Sequence, residues 1–190
     1  MASSIEFLLK QLWVLNEQDG IQQSMRRCSH TMDGIATFDP SKKIKLSPML
    51  RERFRCAYEW ENAAIGQTWL GLDKVAIASD DTQIRKHYDL RVQNWTHAPP
   101  AMTTPSRTAI YGINTERREA TYLAWPAEDE EPIICALYGG QFDIFKNLKR
   151  YLEFLAGDRC HDDSEEILPH VPLSVDEVVT KAREDGGLER

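Results

Sequence analysis

The sequence has no run approaching the roughly 18 apolar residues that a membrane-spanning helix requires. Its start carries Glu6, Lys10 and Gln11 where a secretory signal would hold a basic start and an unbroken apolar middle. A cytoplasmic protein with no membrane partner is expected. The four cysteines, Cys28, Cys56, Cys135 and Cys160, include no Cys-x-x-Cys pair, so the strong zinc and redox spacings are missing. Free thiols in a reducing compartment are the expectation. The ten glycines are scattered. Neither a Walker loop nor G-x-G-x-x-G is present, and G-x-S-x-G and H-E-x-x-H are missing too. The reading is therefore a protein without catalytic residues, cofactor or bound metal. Positive charge is also in short supply, with 23 Lys and Arg against 30 Asp and Glu, a formal charge of −7. A general nucleic-acid binder needs a basic surface, so nucleic acid is not the expected partner.

What is present suits a folded domain. The 190 residues are 42% hydrophobic and 28% charged, ordinary values for a globular chain long enough to bury a core. Residues 4–18 place Ile5, Leu8, Leu9, Leu12 and Leu15 at helical spacing, with Ser3 or Ser4 as cap. A short strand is expected within residues 34–38. Ser47-Pro48 opens a second helix, since serine caps free amides and proline at the first position loses no needed donor. That helix is expected to run to residues 62–66. Asp80 or Asp81 can cap a third helix through Tyr88, and residues 95–105 hold three prolines and must be irregular.

From Arg107 the pattern becomes β-prone. Strands are expected at 108–113, 121–125 and 133–138, the last ended by Gly139-Gly140. Phe142, Phe145, Leu148, Leu152 and Leu155 then predict an amphipathic helix closed by Gly157. Short polar connections favour an antiparallel meander. The fold class is α+β, an antiparallel sheet packed against helices. One domain spans 1–157, an acidic linker 158–173, and an additional C-terminal helix with its tail 174–190. In that helix Ser174 and Glu177 form a capping box, and Val175, Val178, Val179 and Ala182 make a narrow apolar face.

Candidate contact residues come from charge and aromatics. Glu128, Asp129, Glu130 and Glu131 put four acids in one loop, too solvated to separate their pKa values for acid–base work. They can steer a basic partner instead. Of five tryptophans, Trp60 and Trp69 lie among charged residues and glycines and are taken as partly exposed contact residues, Trp125 as core. Lys42, Lys43, Lys45, Arg51, Arg53 and Arg55 make a basic stretch that reads as the solvated side of a helix. His87 and His97, ten residues apart, could join a small metal site, and Cys160-His161-Asp162-Asp163 offers adjacent ligands, but consecutive side chains diverge.

The text AIYGINTERREATYLAW, EPIICALYGG and FDIFKNLKRYLEFL resembles the C-terminal half of SUKH-superfamily immunity proteins. Phe142 or Phe145 and the Tyr151-Leu152 pair match the family's final helix. Upstream, KLSPMLRERFRCAYEWENA is similar to the family's helix carrying Leu46, Pro48 and Phe54. The resemblance covers about residues 44–156. It implies a non-catalytic protein-binding module that neutralises a bacterial toxin by stoichiometric binding, with a basic toxin domain as partner. A regulatory or scaffolding protein of the same fold is the alternative, and a small metal-dependent enzyme built on His87 and His97 a third.

Overall fold

The structure is a computed structural model that describes residues 4–27, 33–75, 81–99, 101–127 and 130–157. The expected linker and C-terminal helix, residues 158–190, lie outside the described part. The chain runs α1 (Ile5–Gln18), β1 (Ser24–Arg26), β2 (Ile35–Ala36), β3 (Lys43–Ile44), α2 (Pro48–Cys56), β4 (Glu59–Ala64) and β5 (Gln67–Trp69). It continues with α3 (Thr82–Gln93), β6 (Thr108–Asn114), β7 (Glu119–Ala124), β8 (Ile133–Tyr138), β9 (Gln141–Phe145) and α4 (Leu148–Leu155). Seven strands form one antiparallel sheet in the order β1-β4-β5-β6-β7-β8-β9, and β2 and β3 form a small hairpin. This is an α+β architecture.

The helices start where local chemistry dictates. Ser4 accepts from the Phe7 amide at 3.1 Å, Ser47 from Leu50, and Asp81 from Gln83 and Ile84, so each cap satisfies amides the first turn leaves free. Two elements differ from the sequence expectation. The helix opened by Ser47 stops at Cys56, and residues 59–64 form a strand. Tyr58 donates its amide to Arg26 O at 2.9 Å, and β4 then pairs along β1. Pairing with an edge strand offers this aromatic segment backbone partners and a packed face, which outweighs its helical spacing. Likewise Phe142 and Phe145 lie on strand β9, and the last helix begins only after Asn147, which accepts from Arg150 N at 3.0 Å. Gly139 and Gly140 both take positive φ (56° and 78°), the backbone a two-residue hairpin turn needs, so the chain folds back on β8 before it can turn helical.

Alternation along the strands sends side chains to two covered faces. On β7, Thr121 points toward α4, bonding Gln67 at 2.8 Å, while Tyr122 points the other way, toward α3, and meets His87. On the first face lie α1, α2 and α4, filled by Trp60, Trp69, Tyr111, Phe145 and Tyr151. On the second, Phe38 stacks on Tyr88 at 4.8 Å and touches Trp95 and Tyr122.

Arg53 is the one charged residue of α2 that points into the core, fully buried. Its guanidinium donates to the carbonyls of Tyr58 (3.0 Å) and Leu70 (3.2 Å) and to the Tyr111 hydroxyl (3.2 Å). Its charge lies 4.1 Å from the Phe54 ring centroid and 4.7 Å from that of Tyr111. Burial pulls its pKa down from the ordinary arginine value, and Tyr111 opposes that pull. The solvated face expected for this helix is therefore correct for Arg51 and Arg55, both exposed, and is corrected for Arg53.

Tyr111 is an extra residue in the β6–β7 ladder, between the pairs Ile110–Tyr122 and Gly112–Thr121. The bulge lets Tyr111 reach Trp69, ring to ring at 5.2 Å. Gly112 then stands opposite Trp69, where a Cβ would fall 2.8 Å from Trp69 Cδ1 and 3.0 Å from Gln67 Oε1. Both neighbours belong to fully buried side chains and cannot retreat. Gly112→Ala is expected to destabilise the domain by about 2 kcal/mol. An unchanged midpoint in urea unfolding would show that the bulge and its ring cluster are less tightly packed than described.

Candidate functional site

An open groove of about 800 Å³ lies between α1, β1 and the end of α2. Its floor is apolar, formed by Leu9, Trp13, Val14, Met25, Cys56 and Ala57, and Lys10, Arg27 and Arg55 stand around it with Glu6. The groove follows from how α1 is used. Ile5, Leu8, Leu9 and Leu12 face the core, and Asn16 anchors the helix end by donating to Ala63 O at 2.8 Å. Trp13 sits at the edge of that stripe, half-buried, with its ring 5.6 Å from Trp60 and its Nε1 donating to Glu17 at 2.9 Å. Phe7 (57% exposed) and Val14 (48%) lie seven residues apart, hence on one side of the helix, and Ile21 (40%) follows just beyond it. An exposed Leu or Phe alone needs no explanation, but large apolar side chains beside an apolar groove form a surface of the kind that partners cover.

The edge strand β1 is held by charge. Arg26 bonds Glu59 at 2.6 Å and Asp73 at 2.9 Å, and Lys74 pairs with the other oxygen of Glu59. Hydrogen bonds that Arg26 donates to Asp73 and then Glu59 raise its pKa above the ordinary value. With one wall fixed this way and α1 pinned by Asn16, the groove is a preformed feature.

The expected contact residues fare differently. Trp60 and Trp69 are both 0% exposed and meet edge-on at 5.4 Å, so they are core residues, and the contact role is corrected for both. Alternation decides this: Glu59 and Glu61 carry the charge on one face of β4, and Trp60 between them faces α1. Glu131 is engaged inside the protein. It accepts from Ser47 Oγ at 2.6 Å and Met49 N at 3.0 Å, closing the N-terminus of α2, where negative charge is favoured. Glu130 is exposed, and Glu128 and Asp129 lie outside the described residues. Glu131→Ala is expected to cost about 1–2 kcal/mol through the lost cap, and Glu130→Ala less than about 0.5 kcal/mol. Equal midpoints for the two variants in chemical denaturation would contradict this division of roles.

His87 lies half-buried under α3 with Nε2 2.9 Å from the Tyr122 hydroxyl, while Arg91 stacks over the Tyr122 ring at 5.3 Å. It borders a recess of about 210 Å³ shared with Lys86, Glu116 and Arg118. The side chain of His97 lies outside the described part. Among the described residues no group of three or more His, Cys, Asp or Glu is placed to hold a metal ion. Cys56 and Cys135 are free thiols, and burial pushes that of Cys135 up to about 12. Burial first, then the Arg91 charge, lowers the His87 pKa to about 4, so the folded protein keeps this ring neutral. The unfolded chain binds that proton near pH 6.5, so stability rises with pH between about 4 and 6.5 and falls on acidification through that window. The loss is expected to reach at most about 3 kcal/mol, less what residual exposure removes. His87→Gln should flatten the profile in this window; a slope that survives the substitution would assign it elsewhere.

No family model matches this chain, and neither a curated protein nor a solved structure does. Among the described residues no helix is long and apolar enough to cross a membrane. The surface on α1 escaped sequence reading although its signal was present: Phe7 and Val14 stand off the buried stripe at a spacing of two helical turns.

Proposed function

We propose that this chain is a non-catalytic protein-binding module, an immunity protein that neutralises a bacterial toxin by stoichiometric binding in the cytoplasm. The observation that carries the reading is the α1 surface, where Phe7 and Val14 stand exposed beside an open apolar groove floored by Trp13 and Met25. Such a surface buries aromatic and aliphatic anchors at low entropic cost. The groove is lined mainly by apolar side chains, with Glu6, Lys10, Arg27 and Arg55 among them, an arrangement suited to occlusion by contact. The sequence resemblance to SUKH-superfamily immunity proteins points to the same class of function. Tyr151 and Leu152, two of the residues that carry it, are buried on α4, while Phe142 and Phe145 belong to β9. The formal charge of −7 steers a basic toxin domain toward the chain as a whole, while the contact at the groove is apolar and its rim, with Lys10, Arg27 and Arg55, is basic.

In this reading the contact shifts from the tryptophans and the acidic loop to α1. The test is affinity purification from the native source, followed by titration of the recovered partner against the wild type and the double variant Phe7→Asp/Val14→Asp. The expected result is one stoichiometric partner with toxic activity that the wild type abolishes, bound at least about 100-fold more weakly by the variant, a loss of about 2.7 kcal/mol. Both side chains are exposed, so the variant should keep its unfolding midpoint. Equal affinity for wild type and variant, or a toxin that stays active in the complex, would overturn the proposal.

A further inference from the structure

The chain's negative charge is concentrated in its last 33 residues. Residues 158–190 hold ten acidic and four basic side chains, a net −6, whereas residues 1–157 hold twenty acidic and nineteen basic ones. The groove beside α1 has the opposite sign. Arg27 and Arg55 line it with no ion pair among the described residues, and Lys10 shares its rim, bonded to Glu6 at 2.7 Å. Within the acidic segment, Val175, Val178, Val179 and Ala182 recur at the spacing of one helical face, and Asp176, Glu177, Glu184 and Asp185 lie among and after them.

We infer that residues 174–185 of this chain dock in cis into the groove between α1, β1 and the end of α2, their valines against Leu9, Trp13, Met25 and Cys56 and their acids toward Arg27 and Arg55. Three observations converge on this occupant. The first is the charge complement. The second is the match between an apolar floor and a narrow apolar stripe, the fit of a helix laid in a groove. The third is reach. The described chain ends at Gly157, just after α4, which packs against α1 and α2. Residues 158–173 can extend about 50 Å, more than the roughly 40 Å width of a domain this size. Tethering supplies an effective concentration of about 1 mM, so even a contact of about 100 µM intrinsic affinity would leave the groove open only about a tenth of the time.

This inference goes beyond the proposed function and does not depend on who the partner is. If both hold, segment and partner compete for the α1 surface. Cys56 makes the occupancy measurable because its thiol, half-buried, lines the groove. The rate at which N-ethylmaleimide modifies Cys56 is measured in the full-length protein, resolved by peptide mass spectrometry so that Cys28, Cys135 and Cys160 are read separately. Val178→Asp/Val179→Asp is expected to raise the Cys56 rate by up to about tenfold at an unchanged unfolding midpoint. Glu177→Lys/Glu184→Lys should raise it by less. An unchanged rate in the valine variant overturns the inference. So does protection that grows with protein concentration, since that assigns the groove to a second copy of the chain.

Discussion

A single buried guanidinium holds the first half of this domain together. Arg53 leaves α2, enters the core, and donates to the backbone where β4 begins and where β5 has ended, while its third contact is the Tyr111 hydroxyl on β6. Among the described residues no carboxylate pairs with it directly, and Glu59 supports its charge only from farther away. Carbonyl oxygens and the faces of Phe54 and Tyr111 take that part, which is feasible for arginine because its flat, delocalised charge is weakly hydrated. Burying a charge this way is costly unless every contact is in place, so the geometry of α2, β4, β5 and β6 is specified together. One nitrogen, Nη2, still lacks a hydrogen-bond partner among the described residues. The arrangement thus favours a unique alignment of elements over maximal stability.

The rest of the architecture follows from that alignment. With Tyr58 O held by Arg53 and Tyr58 N by Arg26 O, the chain enters β4 in a fixed register that turns Trp60 toward α1 and Glu59 and Glu61 away from it. Trp60 then meets Trp69, and Trp69 meets Tyr111 and Tyr151, a continuous aromatic seam from α1 to α4. Glu59, on the opposite side, collects Arg26 and Lys74 and fixes the edge strand. The same register that consumes the buried tryptophans leaves Trp13 at the margin of α1, where it becomes part of the groove floor.

Local signals were legible in the sequence, and pairing was not. Ser4, Ser47 and Asp81 cap the helices they were expected to cap, because capping depends on residues within one turn. The strands at residues 108–114, 119–124 and 133–138 showed through their β-branched and aromatic content. Residues 59–64 and 141–145 were misread because their apolar spacing fits a helix, and only the neighbouring strand decides otherwise. The inward turn of Arg53, the capping role of Glu131 across 84 residues of chain, and the burial of Trp60 and Trp69 all depend on long-range contacts. Charge in the sequence suggested surface for each of them. The α1 surface is a different case: its residues were readable as off-stripe apolars, but an exposed Phe gains meaning only beside a groove that β1 and α2 complete.

A preformed apolar groove, walled by a charge-fixed edge strand and flanked by exposed Phe7 and Val14, is the feature on which the proposed binding function rests. Glu130 is exposed and remains available for encounter, while the proposed contact lies on α1. Hydrogen–deuterium exchange of the chain, free and saturated with its purified partner, addresses this most directly. The account predicts new protection in Ile5–Gln18 and Ser24–Arg26, with α3 and the turn around Gly139-Gly140 unchanged. Protection confined to α3 and the His87 recess, with α1 exchanging as in the free protein, would contradict it.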